Sequence, residues 1–210
     1  MKLYSLLGLI TFVAATASAA QTAPTTKPPL VAGDQAVFQL NYDQVNVKNR
    51  GNFAGYSMEG HFLLGKTTEV TPIKWFTDIQ GGTVKDNNSQ ATISSVKGGL
   101  TMYFDGWQML QPYFSAGVQS NYGNFAGNPN AYWAYYVEPG VKVNFGSSIY
   151  ALASYEYGEG FNANIGSVRN MPKVGVGVDF TKNFGAEVRY EMNQGSYQYN
   201  RTVAGLNYKF

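Results

Sequence analysis

The chain has 210 residues, with 15 Lys and Arg against 13 Asp and Glu, a formal net charge of +2, and no cysteine. This composition leaves no electrostatic footprint for nucleic acid, and without thiols there is no disulfide framework, lipoprotein anchor or cysteine metal site. Charged residues are only 13% of the chain while aromatics are 15% and glycines number 24, which suits a protein that meets lipid through alternating strands better than a soluble one.

The first element is a leader. MKLYSLLGLITFVAATASAA has a basic residue at Lys2, an apolar run from Leu3 to Ala15, and small residues at Ala17 and Ala19. That order predicts a secretory signal peptide over residues 1–19, and the run is shorter than the ~20 residues of a spanning helix. QTAPTTKPPL follows, too rich in Pro and Thr for helix or central strand, so residues 20–33 are expected to be a flexible segment on the periplasmic side. Residues 34–210 then read as one domain.

From Asp34 onward the chain scans as blocks of period two separated by turn chemistry. Strands are expected near 35–47, 56–66, 72–81, 91–104, 109–122, 131–145, 148–157, 171–181, 184–192 and 198–210. The segments DQVNVKNRGNFAG, GGTVKDNNSQ, GNFAGNPNA, GEGFNANIGSVRN and NQGSY read as long polar loops, with the shorter links KTTEVT, DGWQ, GSS and TKN between them. Long loops at one rim and short turns at the other predict an all-β, antiparallel, up-and-down barrel of ten strands. Eight strands is the alternative if 148–157 merges with a neighbour, but the loop alternation then breaks.

The two faces differ sharply. One carries residues such as Leu40, Met58, Val96, Leu100, Val141, Val174, Val188 and Leu206. The other carries glycines and most of the charge: Glu59, Lys74, Asp78, Lys97, Glu138 and Lys142, then Glu156, Lys173, Glu187, Arg189, Glu191 and Arg201. Glycine makes room inside a narrow barrel, and nearly balanced acids and bases neutralise one another in a confined lumen. The charges are therefore expected inside and lipid outside, as a structural or pore-lining network. Symmetric hairpins about TKN and NQGSYQY pair Lys173 with Glu191 and Glu191 with Arg201. Symmetry about GSS sets Glu138 opposite Glu156, which demands a base such as Lys142 or Lys173.

Aromatics close several strands beside the short turns: Phe104, Phe145, Phe180 and, at the chain end, Tyr208 and Phe210. They are expected to form a membrane-interface girdle. With PYFSAGV, VEPGVKVNF, the leader and the terminal Asn-Tyr-Lys-Phe, the sequence resembles the small opacity/porin-like outer-membrane β-barrels of Gram-negative bacteria. The resemblance implies a multi-pass barrel in the outer membrane, in contact with its lipid and lipopolysaccharide. It also implies that Tyr208 and Phe210 are recognised by the barrel assembly machinery.

Chemistry is sparse. His61 is the one histidine, and Glu59 two residues away is too weak a signal for a catalytic dyad, so no catalytic residue, metal or cofactor is expected. The loop aromatics Phe53, Phe125, Trp133, Phe161 and Tyr197 are candidates for contact with a surface ligand. The expected role is a non-enzymatic barrel that supports envelope integrity or surface contact. The alternatives are a narrow channel for ions or small solutes and, with less support, a lipid-modifying enzyme or protease.

Overall fold

The computed structural model describes residues 36–64, 73–86, 90–104, 109–125, 128–161, 168–195 and 198–210, with 63–64, 73–75, 93, 103, 123–125, 128–130 and 168 described as backbone only. The leader and the Pro/Thr-rich segment lie outside these residues. Ten strands follow: β1 (Val37–Val47), β2 (Gly51–Leu64), β3 (Ile73–Lys85), β4 (Gln90–Tyr103), β5 (Leu110–Phe125), β6 (Asn128–Phe145), β7 (Ile149–Gly160), β8 (Val168–Asp179), β9 (Phe184–Asn193) and β10 (Tyr199–Lys209). Each pairs antiparallel with the next, and β10 pairs with β1 to close the barrel. The closing ladder runs from Val37↔Lys209 to Val47↔Tyr199, and the Phe210 N–H donates to the Ala36 carbonyl at 3.0 Å. Closure leaves no unpaired edge, the condition a sheet must meet in hydrocarbon.

Alternation places the charges as expected. Leu206 is 65% exposed and its neighbour Asn207 4%. Leu40, Met58, Ile79, Val96, Leu100, Val118 and Val174 are likewise exposed, whereas Asp43, Glu156, Lys173, Glu187, Glu191 and Arg201 are buried. Among the described residues Val178 departs from this pattern, being two and four positions from the exposed Val176 and Val174 yet buried. An apolar exterior around a charged interior is the inverse of a soluble binding barrel and is stable only with lipid outside. The fold is that of a membrane β-barrel.

The strands tilt, and the tilt decides which lumen residues meet. One hydrogen-bonded row starts at Lys209 at the rim bearing the chain ends and passes Val37, His61, Asp78, Lys97 and Gln119. It ends at Ala134 and Gly160, near the opposite rim. Such a climb accompanies closure of a staggered sheet. Inside, two glycines accept rings from the neighbouring strand. Tyr113 lies over Gly140 and Tyr150 over Gly177, where a Cβ would collide with the ring.

The expected alternation of long loops and short turns is not found. Strands run through much of the polar sequence read as loop. β2 begins at Gly51, and the turn over 48–50 is closed by Arg50 N–H donating to the Val47 carbonyl at 3.0 Å. Asn49 at φ 65° and Gly51 at φ 110° take the left-handed region that Asn and Gly tolerate best. β5 reaches Phe125 and β6 starts at Asn128, so GNFAGNPNA is mostly ladder. Backbone groups in these segments still need partners, and continuing the ladder past the bilayer supplies them. With 16 and 18 residues, β5 and β6 far exceed the ~9–11 that a spanning strand needs. Their hairpin projects beyond the membrane at the rim opposite the chain ends.

Candidate functional site

The lumen holds two ion-pair clusters on facing walls. The first centres on Glu156, whose side chain is fully buried. Its carboxylate meets Lys97 Nζ at 2.5 Å, Lys173 Nζ at 2.7 Å and Arg169 Nε at 3.1 Å, the last an ion pair without hydrogen-bond alignment. Lys173 also donates to Glu138 at 2.8 Å, and Ser154 donates to Glu138 at 2.7 Å. Three cations here face two carboxylates.

The second cluster centres on two guanidiniums. Arg201 contacts Asp43 at 2.5 Å, Glu59 at 3.0 Å and Glu191 at 3.2 Å. Arg189 contacts Glu59 and Glu191 at 2.7 Å each and Glu187 at 2.9 Å. Two cations here face four carboxylates. The excess positive charge of one wall therefore faces the excess negative charge of the other, and the central ions Glu156 and Arg201 each have three ion-pair partners, the condition under which desolvation is repaid.

Above the clusters, toward the projecting rim, Val45, Phe53, Val84 and Ala91 form a buried apolar cap, with Val47 and Tyr199 packed on it. Phe53, expected as an exposed loop aromatic, is only 3% exposed because alternation persists through NFAG and turns it inward. Trp133 and Phe161 are exposed as expected. The side chain of Phe125 and all of Tyr197 lie outside the described residues. Below the clusters, toward the chain ends, lies a cavity of about 320 Å³, bordered by Lys142, Lys209, His61, Phe76, Tyr113 and Tyr150 among others. A second space of about 280 Å³ shares His61, Asp78, Lys97, Glu138 and Glu187 with it and continues up to Arg169 and Met171. Neither is lined by the cap residues, and the first is bordered by Val37 and Lys209 beside the chain ends, so this space is a vestibule on the chain-end side of the lumen.

Of the charges singled out in the sequence, Glu59, Asp78, Lys97, Glu138, Lys142, Glu156, Lys173, Glu187, Arg189, Glu191 and Arg201 all border the clusters or the vestibule. Lys74 lies outside the described side chains. The pairs Lys173↔Glu191 and Glu191↔Arg201 occur as read. Between Val137↔Tyr157 and Gly140↔Ser154 the ladder is interrupted at Glu138 and Pro139, the latter lacking an N–H, and Lys173 rather than Lys142 bridges Glu138 and Glu156.

Four residues were missed as network members. Asp43 continues the inward series Gln39, Asn41, and Arg169 continues Lys173, Met171, so two more steps of alternation would have found both. Asp179 and Lys209, the other two, lie on the polar face and pair with each other at 2.6 Å.

His61 hydrogen-bonds through Nδ1 to Asp78 and stacks on Phe76 at 5.6 Å. Its acid partner is Asp78 across the β2–β3 ladder, not Glu59 on its own strand. Among the described residues no hydroxyl donates to the ring. Thr101 and Ser115, which border the same cavity, bond each other at 2.6 Å.

Phe104, Phe145, Phe180 and Phe210 are each about half or more exposed at the rim of the chain ends, joined by Phe184. Tyr208 sits between Phe184 and Phe210, with ring centroids 4.8 and 4.9 Å away. A second outward belt went unread: Tyr42, Tyr56, Tyr155 and Tyr190 stand exposed farther along their strands, Tyr42 and Tyr56 edge to face at 5.6 Å. Two aromatic belts around an apolar band mark the two interfaces of a bilayer.

Fold and lumen together define a transmembrane barrel with a charge-filled interior. No family model matches the chain, and no curated protein matches it in sequence. Among solved structures it is similar to Neisserial surface protein A, at 15% identity and a TM-score of 0.44 over 84% of this chain and 96% of that one. It is also similar to the translocator domain of the autotransporter NalP from Neisseria meningitidis, at 13% and 0.46 over 99% and 96%. The NanC porin gives 10% and 0.49 over 81% and 100%. At these values the likeness is low, and what the barrel can do follows from its own residues.

Proposed function

We propose that the chain is a closed, non-enzymatic barrel of the Gram-negative outer membrane, serving envelope integrity or surface contact rather than passage of solutes. The observation that carries this reading is the lumen. Glu156 and Arg201 anchor opposed clusters across it, and the Val45–Phe53–Val84–Ala91 cap stands above them. The projecting β5–β6 hairpin, with Trp133 60% exposed, is the surface that supports contact outside the cell. The chain-end rim then faces the periplasm, and the tyrosine belt meets outer-leaflet lipopolysaccharide.

Recording from the refolded barrel in a planar bilayer tests the reading. Silence across physiological voltages is expected, and reproducible unitary conductance would replace it with the narrow-channel alternative. Tyr208 and Phe210 are proposed as the assembly signal. Phe210→Ala should lower the fraction of heat-modifiable, inserted protein in cells, and full insertion would count against that role.

A further inference from the structure

Among the described residues, one charge that borders the vestibule has no ion-pair partner. Of the groups bordering it, His61 is held by Asp78, Lys97 by Glu156, Glu138 by Lys173, Glu187 by Arg189, and Lys209 by Asp179. Lys142 is half-buried, with its Nζ 4.1 Å from the centroid of the Tyr150 ring. Among the described residues no carboxylate lies within ion-pair reach of it. A cation–π contact offsets only part of the desolvation of an ammonium. The rest of the wall near it is largely apolar, formed by Phe76, Tyr113, Tyr136 and Leu152. A concave space of about 320 Å³ with aromatic walls and one fixed charge has the make-up of a small-molecule site.

We propose that this vestibule binds a small organic anion from the chain-end side, its carboxylate on Lys142 Nζ and its apolar body against Phe76, Tyr113, Tyr136 and Leu152. The argument for that class is by complementarity. An organic cation meets repulsion from Lys142, and the carboxylates that would attract it are already paired. A neutral polar solute leaves the ammonium unanswered. An inorganic anion leaves the apolar wall wet. Only an anion with an apolar body satisfies both features. The site is separate from the closed-lumen reading, since a conducting barrel with the same vestibule would bind the same class.

The test uses the full barrel folded in maltoside micelles, which carry no headgroup charge, titrated calorimetrically with phenylbutyrate, its neutral amide, and inorganic phosphate. Phenylbutyrate should give saturable one-site heat that protein-free micelles do not. The amide should bind about tenfold more weakly or not at all, and phosphate should give no saturable heat. Lys142→Met should weaken phenylbutyrate by a similar factor, with folding checked by heat-modifiable migration. If that variant does not fold, Lys142→Gln removes the same charge, and Leu152→Trp fills the cavity while leaving Lys142 in place and should abolish binding. No saturable heat with the unaltered barrel overturns the proposal. So do equal affinities for acid and amide, saturable phosphate binding, or affinity unchanged by the variants.

Discussion

Glu156 and Arg201 are buried and each is held by three ion-pair partners, whereas at the vestibule His61 and Asp78 keep 31% and 36% of their side-chain surface and form one pair. Both regions come from the same alternation of polar and apolar residues, and both use acids beside bases. What separates them is position along the tilted strands. The middle of the lumen is walled on all sides by other strands, while the chain-end rim opens to water. Ion pairs therefore differ in worth by location rather than residue type. A buried charge that loses its partner is costly, and a half-exposed one is rescued by solvent.

The largest expected effect is at the centre of the buried region. Glu156→Ala leaves Lys97, Arg169 and Lys173 facing only Glu138, and should destabilise the barrel by about 3–5 kcal/mol. Equilibrium urea unfolding from lipid vesicles reads this directly, and a loss below about 1 kcal/mol would mean that water reaches Glu156 and would erase the contrast with the vestibule. Arg201→Met should cost somewhat less, about 3 kcal/mol, because Arg189 still neutralises Glu59 and Glu191 while Asp43 alone is left unpaired.

How far these regions were legible in the sequence differs in the same way. The row Lys173–Glu191–Arg201 could be read because short turns and symmetric hairpins fix register across β8, β9 and β10. What Lys173 bonds to could not. Its ammonium reaches Glu138 and Glu156 on β6 and β7, a choice made by side-chain length and wall curvature. At the vestibule register itself was hidden, since a hairpin symmetric about KTTEVT sets His61 opposite Phe76, and the observed pairing with Asp78 is offset by two residues. The cap was concealed for another reason. Val45 and Phe53 sit in polar, Asn/Gly-rich sequence that reads as loop, although the two-residue period continues through it. Composition suggested where strands should stop, but backbone hydrogen bonding carried them farther.

Tyr150 joins the two regions, bordering the vestibule while donating from its hydroxyl to Glu187 at 2.9 Å. Tyr150→Phe keeps the ring over Gly177 and under Lys142 and removes only that hydrogen bond to a carboxylate. Glu187 retains Arg189, so the cost should be about 1–2 kcal/mol, between the two extremes. A loss as large as that of Arg201→Met would extend the tightly partnered region down to the rim.

The smallest effect should come from His61→Ala. The pair with Asp78 is a direct imidazole–carboxylate contact, and judged by contact alone it ranks with the other ion pairs of the lumen. Judged by exposure it does not, because both side chains remain partly in water and Asp78 can be solvated once the imidazole is gone. The expected loss is below about 1 kcal/mol, most of it from the ring stacked on Phe76. Separating the two contributions takes a cycle with Asp78→Asn. If the coupling between the substitutions is near zero while Glu156→Ala remains severe, then depth in the barrel, rather than pairing geometry, sets the worth of a lumen charge. A coupling comparable with the loss at Glu156 would reverse that ranking and make the vestibule wall a structural element equal to the clusters above it.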